Sequence, residues 1–225
     1  MKHKTGRQKI YSVNNPLLFT IDDLLAEDVL ENLIADVEQL PFEKAKVVPA
    51  EGETESRETF RRKAATCGLA VMQSKAAWSF ISAVSGIVRL HPAQAEDLSC
   101  VKYGLGELYD AHHDTFNEET LTKMTPEAGN RILTAILYLN DVEEGGQTSF
   151  PELNLSIEPK RNRLLVFSTT HTGTEQSLDC SKHMAEPVIK GRKLITNLWF
   201  RKGVYNQELY DNVSKTRGYD ANMYK

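Results

Sequence analysis

Residues 101–116 read VKYGLGELYDAHHDTF, and the pattern inside this stretch organises everything around it. In a β-strand, side chains two positions apart share a face. The spacing therefore predicts that His112 and Asp114 converge on one side while His113 points to the other. A neutral imidazole beside a carboxylate supplies two of the three ligands of a 2-His-1-carboxylate triad, a set that leaves open positions on Fe(II). The third ligand has to arrive from another strand. His3 lies in a basic leader and His91 stands beside Pro92, so both are poor candidates. His183, just ahead of the strand-like segment EPVI, is the best candidate, with His171 in reserve. A His-x-Asp tripeptide alone is common by chance, and its weight comes from its surroundings.

Outward from this stretch, the C-terminal half has the texture of short strands and turns. LSCVKY, ILTAILYLN, RLLVFS and KLITNLWF are apolar runs rich in β-branched and aromatic residues. Gly145-Gly146, Pro151, Pro159 and Gly191 punctuate them. ILTAILYL is apolar almost throughout, as a strand buried on both faces should be. Such a series predicts a sandwich or jelly roll. The N-terminal part is helical. Leu30, Leu33, Ile34, Val37 and Leu40 recur at spacings of three and four until Pro41. A second helix is expected over residues 70–90, with Trp78, Ile81, Val84 and Val88 as its core stripe. Between them lies AEGETESRETFRRK, without an apolar period, which reads as a mobile loop over residues 50–66. From Lys202 the chain is polar with scattered Tyr and reads as a tail, packed on the domain or partly disordered.

At 225 residues with 40% hydrophobic and 26% charged residues, the composition is that of an ordinary globular chain rather than a disordered one. A net charge of −4 gives no global reason to expect nucleic acid or an anionic membrane as partner. No run approaches the roughly 18 apolar residues of a membrane span, and no signal-peptide core follows the basic start. Cys67, Cys100 and Cys180 are odd in number and far apart, which suits reduced thiols in a cytoplasmic protein.

The surroundings of His112-x-Asp114 resemble the prolyl 4-hydroxylase family of Fe(II)/2-oxoglutarate-dependent dioxygenases. The resemblance is carried by Tyr103, Gly106, Tyr109, then Arg131, Thr134 and the run Tyr138-Leu139-Asn140-Asp141-Val142. Gly145-Gly146-Gln147-Thr148-Ser149-Phe150-Pro151 follows, and His183, Pro187-Val188, Gly191, Lys193 and Trp199 close it. It implies an α+β chain whose core is a double-stranded β-helix, the jelly roll, with supporting N-terminal helices. It also implies three parts: a helical support region over 1–97, the catalytic core over 98–201 and a tail over 202–225.

Carried over position by position, the resemblance makes His112, Asp114 and His183 the iron ligands. Lys193, ten residues past the last ligand, would bind the distal carboxylate of 2-oxoglutarate. Tyr103 and Thr134 would supply hydroxyls to the same site, and Trp199 an aromatic wall. The implied reaction hydroxylates a prolyl residue of a peptide or protein, consumes O2 and 2-oxoglutarate, releases succinate and CO2, and uses ascorbate as reductant. A free amino acid, another side chain or a small metabolite remains open as substrate, and so does a cupin-like binding module without catalysis. The intact Asp114 favours hydroxylation over halogenation, because related halogenases put a halide in place of that carboxylate.

The chain also departs from the family pattern. Gln147 replaces a Glu, and Asn162 stands where Gly is usual, Asn being the next best residue for a left-handed turn. RRKAATCGL lacks the Ser of an Arg-x-Ser pattern that lines the peptide groove, although Arg62 can stand for the Arg. Lys182 precedes His183 where a small or apolar residue is common. These changes touch peptide recognition and leave the iron site alone.

Overall fold

The computed structural model describes residues 7–12, 16–45, 63–124 and 126–217. Most of the segment read as a mobile loop, including Arg57, Arg61 and Arg62, lies outside the described residues. Its C-terminal end does not behave as a loop. Lys63 and Leu108 exchange two backbone hydrogen bonds, and Ala65 already begins a strand. Sheet pairing at Thr66 and Cys67 overrides the polar local composition.

The chain begins with β1 (Gln8–Ser12) and β2 (Leu18–Ile21), an antiparallel pair, followed by helix α1 (Glu27–Glu38). Leu30, Leu33 and Val37, on one face of α1, are fully buried. The short β3 (Glu43–Lys44) and β4 (Ala65–Leu69) precede helix α2 (Lys75–Val88). This helix starts later than its apolar pattern suggests, because Ser74 caps it. The Ser74 hydroxyl accepts from Ala77 N at 3.0 Å and donates to Asp36 of α1 at 2.5 Å. Its core face is also turned from the predicted stripe: Ala77, Phe80, Ile81 and Val84 are buried, while Trp78 and Val88 are partly exposed.

The remaining strands are β5 (Leu98–Tyr103), β6 (Tyr109–His112), β7 (Arg131–Tyr138), β8 (Glu144–Gly145), β9 (Thr148–Phe150), β10 (Leu155–Ile157), β11 (Arg163–Ser168), β12 (His183–Ala185), β13 (Val188–Lys190) and β14 (Lys193–Arg201). Helix α3 (Glu118–Met124) lies between β6 and β7, and α4 (Gln207–Arg217) follows β14. The large sheet has the order β1-β2-β11-β7-β14-β5-β4-β3, and the smaller one β10-β9-β12-β6. Neighbours in both sheets run antiparallel.

Two apolar layers result, and the period of two in β7 and β14 assigns residues to them. Leu133, Ala135, Leu137, Leu194, Leu198 and Phe200 face α1 and α2. Ile136, Tyr138 and Ile195 face the other way, where Phe150, Ala185 and Val188 close the jelly roll. The near-continuous apolar run in β7 therefore has helices on one face and a second sheet on the other. The polar tail contributes to the first layer: α4 inserts Leu209 and Val213 into it.

Two turns have backbone requirements that explain their residues. Gly145 has φ +79°, and a Cβ there would lie 2.3 Å from Pro187 O, so only glycine fits where β8 meets β13. Asn162 adopts φ +62°, the left-handed turn expected of it. Its side chain does more: Oδ1 accepts from Leu25 N at 3.0 Å and Nδ2 donates to Leu25 O at 2.8 Å, tying this turn to the entry of α1.

Candidate active site

The pairing of β6 with β12 sets His112 directly opposite His183. Because β6 ends at His112, Asp114 reaches the same place from the bend beyond the strand and not by strand alternation. One ligand atom each from His112, Asp114 and His183 lies within 4.8 Å of the others, the one such group of three or more His, Cys, Asp or Glu among the described residues. Asp114 Oδ1 is 3.6 Å from His112 Nε2, and Asp114 Oδ2 is 3.7 Å from His183 Nε2. Each imidazole is oriented from behind: His112 Nδ1 donates to Asp110 O (2.8 Å) and His183 Nδ1 to Ser181 O (3.1 Å). That fixes the tautomer whose Nε2 lone pair faces the site. Tyr109 stacks on His112 with ring centres 3.6 Å apart.

The electrostatics suit a metal. Burial pushes the His183 pKa down to about 4, so the ring is neutral at pH 7 and can ligate. Burial alone would raise the Asp114 carboxyl, but His183, His112 and Arg131 outweigh it and hold it far below the usual carboxylate range. His113 is outside the set. It nevertheless lines the same cavity rather than pointing away from it, with Nδ1 3.3 Å from Ser177 Oγ. His171 lies in a turn beyond β11, and His91 is buried where its Nδ1 accepts from Ala93 N, so neither joins the set.

The triad opens into a cavity of about 390 Å3. Lys193, Ile195, Asn197 and Trp199, alternate residues of β14, form one wall, and Tyr103, Ile136 and Thr148 also line it. Lys193 is 1% exposed, and its ammonium has no hydrogen-bond partner among the described residues. It sits 5.2 Å from the ring centre of Tyr103 and 5.7 Å from that of Tyr138. Burial pulls its pKa down to about 7, against a smaller opposing pull from Glu186. A buried cation without a partner is costly, and an anionic ligand removes that cost. Thr148, not singled out as a ligand from the sequence, accepts a 2.7 Å hydrogen bond from Tyr138 and so keeps its own proton to donate. Asn197 was also missed, although strand alternation from Lys193 marks it.

Arg131 borders the cavity with its guanidinium 3.6 Å from the centre of the Trp199 ring. Glu96 grips it through two bonds of 2.7 and 2.8 Å, and Arg201 shares that carboxylate at 2.9 Å. Trp199 lines the cavity and is itself held by an ion cluster. Thr134 differs from its expected role. It is not among the cavity-lining residues, and its hydroxyl donates to Asp114 Oδ2 at 2.6 Å. The pleat aims Thr134 at the carboxylate and leaves nothing over for a co-substrate.

Two imidazoles and a carboxylate would supply three donors to a metal, and the Lys193 ammonium in the same cavity suits an anionic ligand. Such a site fits Fe(II) together with 2-oxoglutarate, and a jelly roll holding that donor set defines the class of non-haem iron, 2-oxoglutarate oxygenases. Residues 98–201 match the model of the 2OG-Fe(II) oxygenase superfamily. A putative prolyl 4-hydroxylase of Acanthamoeba polyphaga mimivirus is 37% identical over 110 residues, covering 48% of this chain and 46% of that protein. The human prolyl 4-hydroxylase subunit alpha-3 is 35% identical over 128 residues, 57% of this chain and 23% of the other. The matched region thus spans less than half the length of these relatives. In fold, the chain is similar to the viral collagen prolyl hydroxylase of Paramecium Bursaria Chlorella virus-1 (TM-score 0.64, 21% identity, 82% of this chain and 95% of that one). It is also similar to a prolyl hydroxylase of Trichoplax adhaerens (TM-score 0.60, 16% identity, 88% and 87%). Over residues 98–201 the chain is thus similar to the 2OG-Fe(II) oxygenase superfamily, and the relatives it resembles in sequence are named as prolyl 4-hydroxylases.

Proposed function

We propose that this protein hydroxylates prolyl residues of a peptide or protein, with Fe(II), O2 and 2-oxoglutarate, releasing succinate and CO2. The observation that carries the reading is the buried Lys193 ammonium, without a hydrogen-bond partner among the described residues, in the same cavity as the His112, Asp114 and His183 donor set. A co-substrate with two carboxylates answers both features at once. Relatives named as prolyl 4-hydroxylases support the choice of substrate. The cavity also extends outward past His113, Phe116, Asn117 and Thr120, which leaves a side open to a larger molecule.

Bound at the triad, Fe(II) would supply the redox chemistry that couples decarboxylation of 2-oxoglutarate to transfer of one oxygen atom from O2 to a substrate carbon. The protein's side chains do the rest. His112, Asp114 and His183 would hold the metal as its three protein donors. Lys193 and the Thr148 hydroxyl bind the distal carboxylate, with Tyr103 beside them. Ile136 and Ile195 keep water from that end of the cavity. Trp199, fixed under Arg131, forms a further part of the cavity wall. Ascorbate would serve as the external reductant.

The test is incubation of purified protein with Fe(II), ascorbate, 2-oxoglutarate and a set of proline-containing peptides. Succinate formation together with one added oxygen atom on proline, read by mass spectrometry, is the expected result. Succinate with hydroxylation of a free amino acid but of no peptide moves the substrate to a small molecule. Absence of any 2-oxoglutarate turnover overturns the enzyme reading.

A further inference from the structure

Thr134 lies in β7, the strand between β11 and β14, with Phe167 and Trp199 as its cross-strand neighbours. It is 1% exposed, on the face of β7 that looks into the jelly roll. A β-branched residue suits such a site, but Val or Ile would fill it without burying a hydroxyl. Among the described residues the hydroxyl bonds Asp114 Oδ2 at 2.6 Å, a short charge-assisted bond. Asp114 itself stands past the end of β6, where no strand pairing fixes its side chain. Its two oxygens face different imidazoles, Oδ1 lying 3.6 Å from His112 Nε2 and Oδ2, the one bonded by Thr134, 3.7 Å from His183 Nε2.

We propose that Thr134 is a positioning residue: its hydroxyl occupies one oxygen of Asp114 and fixes the carboxylate so that it serves the metal through a single oxygen. This rests on reading the triad as a metal centre. A carboxylate free to turn could offer both oxygens to the metal and take up one of the positions that co-substrate and O2 need. The central sheet supplies rigidity that the bend at Asp114 lacks, and the hydrogen bond transmits it.

The experiment compares full-length protein with Thr134→Val and Thr134→Ser. Manganese(II), a redox-stable probe, is titrated without 2-oxoglutarate, and free metal is followed by its paramagnetic resonance signal. Thr134→Val is expected to weaken binding by about 10–100-fold, in the range usual for loss of a hydrogen bond behind a ligand. Thr134→Ser, which keeps the hydroxyl, should recover most of that loss. At saturating metal, KM for 2-oxoglutarate should be nearly unchanged in both variants. Circular dichroism and melting temperature establish that Thr134→Val is folded; if it is not, the Thr134→Ser and Thr134→Ala pair decides by the same comparison. Unaltered manganese affinity in a folded variant lacking the hydroxyl overturns the proposal, as does a raised KM for 2-oxoglutarate alone. Failure of the unmutated protein to bind manganese would instead overturn the metal-centre reading.

Discussion

At the scale of single residues, the cavity's behaviour follows from one side chain. With a pKa lowered to about 7 by burial, Lys193 is about half protonated at neutral pH when no anion is bound. Binding of a dianion favours the protonated form, so above pH 7 binding must draw a proton from solvent. Affinity for 2-oxoglutarate is therefore expected to fall as pH rises above 7, approaching tenfold per unit. Calorimetry in buffers of different ionisation enthalpy should show the matching proton uptake. Lys193→Arg, charged throughout, should flatten the profile even if it binds less well. Lys193→Ala should raise KM for 2-oxoglutarate sharply and leave metal affinity nearly unchanged. Asn162 offers a second test. A glycine there relaxes φ +62° but removes both bonds to Leu25, whose backbone groups lose their partners. Asn162→Gly should lower stability by about 1–3 kcal/mol in urea titrations; a gain would mean that backbone strain outweighs the bonds.

Elements matter here through the faces they present. β14 sends Lys193, Ile195, Asn197 and Trp199 into the cavity and Leu194, Leu198 and Phe200 toward the helices. The strand that lines the site is thus held by the packing of α1 and α2 behind it. Leu33, fully buried on α1, carries part of that packing. Leu33→Ala is expected to cost about 2–5 kcal/mol in denaturant unfolding. Activity well below the new melting temperature should be close to that of the parent, since Leu33 is not among the residues that line the cavity. Loss of activity at full foldedness would show that the helices tune the site as well as support it.

Across the whole molecule, ligands and fold are linked, because the triad and Lys193 come from strands brought together only in the folded state. Metal with 2-oxoglutarate at about a hundred times the dissociation constant should add about 2.7 kcal/mol of stability. For a domain of this size that is a rise of about 5–10 °C in melting temperature. Lys193→Ala should abolish the increment due to 2-oxoglutarate and keep that due to the metal. Equal increments in parent and variant would place the co-substrate elsewhere. The cluster of Glu96, Arg131 and Arg201 is a second long-range tie, joining the approach to β5 with the ends of β7 and β14 around the Trp199 wall.

The sequence by itself determined what local periodicity and backbone chemistry can encode. The apolar spacing of Leu30, Leu33 and Val37 marked α1, and the apolar runs marked β5, β7, β11 and β14. His112 and Asp114 were legible as a candidate pair from their closeness in sequence, although the bend beyond β6, and not strand alternation, brings them together. Lys193 and His183 needed the whole ordered set of motifs. The tertiary structure alone decided which strand lies opposite which: His183 faces His112 through the β6–β12 register, seventy-one residues along the chain. It decided that Thr134 spends its hydroxyl on Asp114, that Thr148 and Asn197 line the cavity, and that the end of the polar stretch joins a sheet. The physical reason is common to all of these. A strand's period fixes which face a side chain takes, whereas what that face meets depends on pairings between distant segments.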